Sequence, residues 1–319
     1  MKTLTSLLVA CFYLINSCVA QQTPLFSMYR DQRGILNPAA YSNNYVLNNR
    51  TMNLSGAWHV QWWNLPESPR TQSLAWEMVS DAKNSVFGAH ILNDQTGKIA
   101  QTGVYGRYAY RIKMGRRVTK TLLIGLNIGA VQYRAKLNEI EFPDPNSAPM
   151  EAPNLIKPDL GVGVFYHHSD RYYAGVSIPQ TFGLSTVFQS GDDVFSIKRI
   201  PHVFAVVGGY WSTPWLGNET SFVEPSIWVK YAANAPLNVD LNLRAQVSEL
   251  IWAGVGVNSG FGLQPSANLR FEAGLFLGEQ VQLMKSQIKT GFAFDLPITQ
   301  SVGKNFGSSA EIVVVYTWR

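Results

Sequence analysis

The stretch that most constrains this chain is Leu237–Val247, read Leu-Asn-Val-Asp-Leu-Asn-Leu-Arg-Ala-Gln-Val, with every odd position apolar and every even one polar or charged. A period of two separates those sets onto opposite faces of a strand, and a helix cannot do so. About eleven residues is also the length of a tilted strand crossing a bilayer. Similar segments recur: Leu122, Ile124, Leu126, Ile128 and Ala130 share one face, as do Leu269, Phe271, Ala273 and Leu275. Glycines such as Gly125, Gly129, Gly161, Gly163, Gly254 and Gly256 crowd the opposite faces, where a curved sheet needs close backbone approach.

Candidate strands fall at 51–63, 70–79, 84–93, 98–114, 119–136, 158–167, 171–178, 202–213, 220–231, 237–247, 249–257, 264–276, 281–295 and 308–319. The expected fold is therefore all-β: a transmembrane antiparallel β-barrel of about 14 strands over 51–319, preceded by an irregular N-terminal lead-in over 21–50. Only 15% of residues are charged, against about 25% in ordinary soluble domains, a deficit that suits a protein with an apolar outside. The formal charge of +5 and the single basic cluster Lys113, Arg116, Arg117 and Lys120 at a tight turn give nucleic-acid binding little support.

Residues 1–20 have the form of a cleaved signal peptide: Lys2, an apolar run from Leu7 to Ile15, and Cys18-Val19-Ala20 ahead of Gln21. Lipoprotein signals at Cys11 or Cys18 fit less well, the first leaving a short leader and the second carrying an awkward Asn16. Both cysteines lie in this segment, so a chain cut after Ala20 has no disulfide and no cysteine-based metal site. Closure of the barrel has to stabilise it instead, since a closed sheet has no free edge.

Loop lengths give an orientation. With strand one starting at the periplasm, connections after odd strands lie outside, where bacterial barrels carry their long loops. Leu137–Lys157, Pro179–Pro201 and Leu296–Gly307 all follow odd strands, while Gly115–Val118, His168–Asp170 and Ser248 follow even ones. In the last strand Ile312, Val314, Tyr316 and Trp318 face one way, and Glu311, Thr317 and Arg319 the other. Trp58, Trp62, Trp63, Trp211, Trp215, Trp228, Trp252 and Trp318 lie mostly near strand ends, as interfacial girdles require, although tryptophans also pack in any all-β core.

The lead-in reads Gln22-Thr23-Pro24-Leu25-Phe26-Ser27-Met28-Tyr29, followed by Asn37-Pro38-Ala39. Trp62 with Pro69-Arg70-Thr71, Gly88 with Asp94 and Gly97, Tyr108-Ala109-Tyr110, Asp159-Leu160-Gly161, Tyr173-Ala174-Gly175-Val176-Ser177, His202 and Glu224-Pro225-Ser226 come after it in order. This series resembles the PorP/SprF family, outer-membrane proteins of the type IX secretion system and gliding machinery of the Bacteroidota. The sequence departs from the family pattern at Arg30–Ile35 and at Ala40-Tyr41. The resemblance implies a barrel that helps export or surface-anchor a partner such as an adhesin, working with periplasmic secretion or gliding machinery. It also marks Pro24, Phe26, Tyr29, Asn37 and Pro38 as candidates for plugging the lumen or meeting a partner.

Chemistry is sparse. His59, His90, His167, His168 and His202 have no i, i+4 partner or cysteine companion, and His167-His168 reads as a solvated pair at a turn. Glu141, Asp144, Asp192 and Asp193 lie in long loops without calcium-loop spacing. No nucleophile elbow or phosphate loop is present. No enzymatic activity, cofactor or metal is expected. Three functions stay open: the secretion or gliding component, a passive porin or solute channel, and an outer-membrane enzyme whose triad would assemble across strands.

Overall fold

The computed structural model describes residues 26–42, 45, 49–115, 120–135, 154–168, 171–182, 185–190, 193–198, 200–216, 219, 221–233, 235–261, 266–278, 283, 286–299 and 307–319. Among the described residues seventeen strands follow in chain order: β1 (Met52–Val60), β2 (Arg70–Ser80), β3 (Ser85–Thr96), β4 (Ile99–Met114), β5 (Lys120–Ala135), β6 (Asn154–His168), β7 (Tyr172–Ile178), β8 (Ser185–Ser190), β9 (Asp193–Lys198), β10 (His202–Gly209), β11 (Trp211–Ser212), β12 (Phe222–Ala232), β13 (Leu237–Gln246), β14 (Ile251–Phe261), β15 (Ser266–Leu277), β16 (Ser286–Pro297) and β17 (Ser309–Trp318). All pairings are antiparallel. β1 pairs with both β2 and β17, β7 with β10, and β10 with β12, which closes a barrel of 14 strands. The short β11 continues β10 past Tyr210 along the same neighbour, β12. Among the described residues no helix is long and apolar enough to cross a membrane, and the crossing is made by strands.

Alternation decides which way each side chain points. In β13, Leu241 and Leu243 are exposed on the outside while Asp240, Asn242 and Arg244 are buried inside. In β17, Ile312 and Val314 face out and Glu311, Val313, Val315 and Thr317 face in. The outward set is apolar around the ring: Val104, Ile124, Ile128, Val176, Leu241, Val255, Phe292 and Ile312 are all exposed. Such a surface belongs against hydrocarbon.

Three departures from the sequence reading have physical causes. The connection after β7 contains a separate hairpin, β8 with β9, joined by Gly191-Asp192, a two-residue pair that favours hairpins. β6 starts at Asn154 although Pro158 cannot donate to a ladder; of β6, only Val162–His168 pair with β7, so among the described residues Pro158 has β5 on one side and no strand on the other. Two tryptophans expected at interfaces, Trp228 and Trp252, are instead buried among the interior side chains, whereas Trp58, Trp63, Trp211 and Trp215 are exposed.

Candidate functional site

The interior of the barrel is occupied by the chain's own lead-in. Residues 26–41 are buried or nearly so, forming a 3-10 turn at Tyr29–Asp31 and a single α-turn at Arg33–Leu36. Neither turn has a side-chain cap, and four residues are too few for a helix to stand on propensity alone. Inward-facing side chains of the surrounding strands hold the segment's shape.

Backbone groups are satisfied first. The Glu311 carboxylate of β17 accepts the amides of Ser27 (2.6 Å) and Met28 (3.2 Å), and Arg270 of β15 donates to the Ser27 carbonyl at 2.9 Å. Ser177 of β7 donates to the Leu36 carbonyl at 2.7 Å. Arg107 of β4 donates to the carbonyls of Pro38 and Ala40 while pairing with Glu77 of β2, whose other oxygen accepts the Ser42 amide at 2.8 Å. Backbone left without partners here would cost about 1–3 kcal/mol per group.

Charge comes next. The Nη2 of Arg30 donates to both carboxylate oxygens of Glu272 of β15 at 2.9 and 2.8 Å, and Arg244 of β13 shares that carboxylate at 2.8 Å. Arg244 also reaches Asp31 at 3.1 Å, and Lys289 of β16 reaches the other Asp31 oxygen at 2.5 Å. Burial alone would raise the Asp31 pKa, but Arg244 and Lys289 outweigh it and hold the carboxyl below its usual range. Arg33 pairs with Glu224 of β12 at 2.6 Å and lies 4.0 Å over the Tyr173 ring of β7. These charges are removed from water, where only close pairing makes them tolerable.

Aromatic slots complete the fit. Tyr29 stacks on Trp228 with ring centroids 4.6 Å apart and bonds Ser226 at 2.6 Å. Tyr41 stacks on His167 at 5.2 Å, so His167 is a buried packing residue and not one of a solvated pair. Beside the segment, the cavities bordered by Gln32, Asn53 and His90 on one side and by Tyr29, Phe204 and Trp228 on another are about 20 Å³ each. Each has room for about one water molecule.

Of the residues singled out from sequence, Phe26, Tyr29, Asn37 and Pro38 are brought together here, all buried. Pro24 lies outside the described residues. Arg30, Asp31 and Arg33, which carry the ion pairs, fall in the stretch where the sequence departs from the family pattern. Their signal was the charge itself, three ionised groups within four residues of an otherwise uncharged segment. Glu141 and Asp144 lie outside the described residues; among those residues no group of histidines, cysteines or carboxylates is arranged to hold a metal ion.

Comparison with known proteins agrees with this architecture. The family model described as "Type IX secretion system membrane protein PorP/SprF" matches residues 18–316. No curated protein matches the sequence. Among solved structures, a "CymD monoaromatic hydrocarbon channel" is similar at 10% identity with a TM-score of 0.53, covering 90% of this chain and 91% of that one. A "TodX monoaromatic hydrocarbon channel deltaS2 mutant" is similar at 10% identity and 0.50, covering 90% and 94%. At such identities the likeness concerns the fold alone.

Proposed function

This chain belongs to the PorP/SprF family of type IX secretion system membrane proteins, and from that membership we propose that it is an outer-membrane barrel that helps export a partner protein, or anchors it at the cell surface. An adhesin is the kind of partner the family reading suggests, with periplasmic secretion or gliding machinery on the inner side. On the same reading the chain is exported by a signal peptide cut after Ala20. The mouth with the short turns and both ends of the closed sheet faces the periplasm, and the mouth with the long connections faces out.

One observation carries the choice of an export component over a porin. The lumen, which a porin keeps open and wet, is filled by residues 26–42, fixed to inward side chains of β2, β4, β7, β12, β13, β15, β16 and β17. A solute path would have to displace several buried ion pairs at once. A secretion component needs a stable barrel with specific surfaces at its two mouths, and a filled lumen supplies the stability.

The test is removal of the gene, followed by surface labelling of secreted proteins beside a small-solute uptake assay. The expected result is loss of a large surface protein with unchanged uptake. Normal secretion with reduced uptake would replace this reading with the porin.

A further inference from the structure

The register brings Lys120, at the start of β5, level with His168 at the end of β6, and His168 level with Tyr172 at the start of β7. All three belong to the outer wall, on the same side of their strands as Ile124, Val164 and Val176, which are exposed there. Tyr172 is paired in turn with Gly209 of β10. A Cβ on that glycine would meet the Trp211 ring at 3.3 Å, so the exposed Trp211 lies back against the wall at the same level. A cation, an imidazole, a phenol and an indole thus follow one another along the short-turn rim.

Their height is set by β5. Its outward positions from Leu122 to Ala130 are all apolar, with Lys120 before them and Gln132 after. At about 3.4 Å per residue and a tilt of about 40°, Lys120 and Gln132 stand about 31 Å apart along the membrane normal. The apolar band of such a barrel is about 25 Å tall, which puts the Lys120 ammonium just beyond the hydrocarbon, among lipid phosphates. Among the described residues Lys120 has no carboxylate partner. Arg171 beside Tyr172 is exposed too, but Asp170 offsets its charge in the sequence, and the site does not need it.

The neighbours of Lys120 add donors. The hydroxyls of Tyr166 and Tyr172 bond to each other, which uses one hydroxyl hydrogen and leaves the second to donate elsewhere. The His168 ring packs on Tyr172 with centroids 4.9 Å apart and fills the row between the phenol and the lysine. Two strand spacings, about 10 Å, separate the backbones of Lys120 and Tyr172, so both side chains can reach one phosphate placed over the imidazole.

We propose that Lys120, His168 and Tyr172 form a headgroup site for an anionic phospholipid. The Lys120 ammonium and the remaining tyrosine hydroxyl hydrogen hold the phosphate, and the acyl chains lie along Ile124, Val164 and Val176. A lipid is the occupant because the row is continuous with the wall that faces hydrocarbon: a ligand here needs a polar head at the rim and an apolar body below it. The adjacent His167 and His168 are thereby divided between the packed lumen and the membrane surface. The site requires only that the barrel spans a bilayer, and it is independent of the export role and of which mouth faces out.

The experiment adds phosphatidylglycerol or phosphatidylcholine to the folded chain in detergent and counts retained lipids by native mass spectrometry, with heat-modifiable migration confirming that each variant is a closed barrel. We expect phosphatidylglycerol to be retained in preference to phosphatidylcholine. Lys120→Gln should weaken that retention about fivefold, the effect of one lysine near a lipid surface, and Lys120→Arg should restore it. Lys113→Gln is the control, because Lys113 is exposed at the same rim but shares the inward side of β4 with Arg107 and Arg111; it should behave as wild type. Equal losses in Lys113→Gln and Lys120→Gln would replace the site with a diffuse attraction of the rim for anions. Equal retention of the two lipids, or wild-type retention in Lys120→Gln, would overturn the proposal. Should Lys120→Gln fail to fold, Tyr172→Phe removes the hydroxyl alone, and undiminished retention of phosphatidylglycerol in that variant would overturn it as well.

Discussion

Asn37 donates its side-chain amide to the Val164 carbonyl of β6 at 3.1 Å, reaching the sheet through a gap where a Cβ on Gly163 would collide with its Oδ1. The same amide reaches the Val176 carbonyl of β7 at 3.3 Å. Gly125, the register partner of Gly163, leaves matching room for the backbone of Pro38 and Ala39. Two glycines on adjacent strands thus form a flat seat for the Asn37-Pro38-Ala39 turn.

Gly163→Val should unseat that turn and destabilise the packed lumen by about 1–3 kcal/mol, the usual cost of overpacking. Gly106→Val is the control, since a Cβ there meets nothing within 4 Å. The check is trypsin cleavage at Arg30 and Arg33 in the detergent-folded barrel. Cleavage should quicken for Gly163→Val and stay at the wild-type rate for Gly106→Val; equal rates in all three would mean the glycine seat does not hold the segment.

Most of the barrel was legible because its rule is local. A strand with lipid on one face and a filled interior on the other must alternate, and β4, β5, β13, β15 and β17 do so over nearly their whole length. β8 and β9 were missed because neither alternates strongly and their turn is only two residues. The site was half legible. Phe26, Tyr29 and Asn37 stood out, but the partners that fix them, Glu311, Glu272, Arg270 and Trp228, come from strands far along the chain. Sequence alone offers no way to tell an inward charge that meets water from one that meets Arg30. Trp228 and Trp252 were legible in part: a period of two puts Trp228 on the face of Glu224, Ser226 and Lys230 and Trp252 on that of Gly254 and Gly256, and the expectation of aromatic girdles ran against that alternation.

The outer face of β13 should accept apolar side chains and reject charge. Leu241 is 52% exposed on the outer face, so Leu241→Arg should cost about 2–4 kcal/mol near the bilayer midplane. Leu241→Phe, still apolar, should be near neutral. Refolding into lipid vesicles across a urea series measures both. A Leu241→Arg barrel as stable as wild type would place that face away from hydrocarbon.

Asp31 makes seating of the lumenal segment depend on pH. Its carboxyl is held below the usual range because Arg244 and Lys289 outweigh the effect of burial. A depressed value in the folded state means the contribution is fully present above the free value of about 3.9. It is lost as pH falls through the lower folded value. The segment should therefore stay protected from amide hydrogen exchange at pH 5 and above, and loosen only in stronger acid. Asp31→Asn should abolish that dependence and leave Arg244 and Lys289 short of a counter-charge, costing about 3–5 kcal/mol at neutral pH. Exchange over residues 26–42, followed by mass spectrometry, distinguishes the two chains; a wild-type segment that loosens between pH 7 and 5 would assign the acid response to another group.

Phe26 and Tyr29 join the lumen to the proposed export role. Both are buried, Tyr29 stacked on Trp228 and bonded to Ser226, yet neither is part of the ring of strands that inserts into the membrane. Replacing both with Ala should loosen the segment while leaving β1 and β17 free to close. If the segment's path through the barrel positions the surface a partner uses, display of that partner should fall even though the barrel is inserted at normal abundance. If the segment only fills space, display should persist and small-solute uptake should rise as the lumen opens. Quantifying surface-labelled protein, heat-modifiable barrel and solute uptake in one strain separates these outcomes. The expected pattern is reduced display with an intact barrel; unchanged display with increased uptake would leave the segment a stopper and the export role to other surfaces.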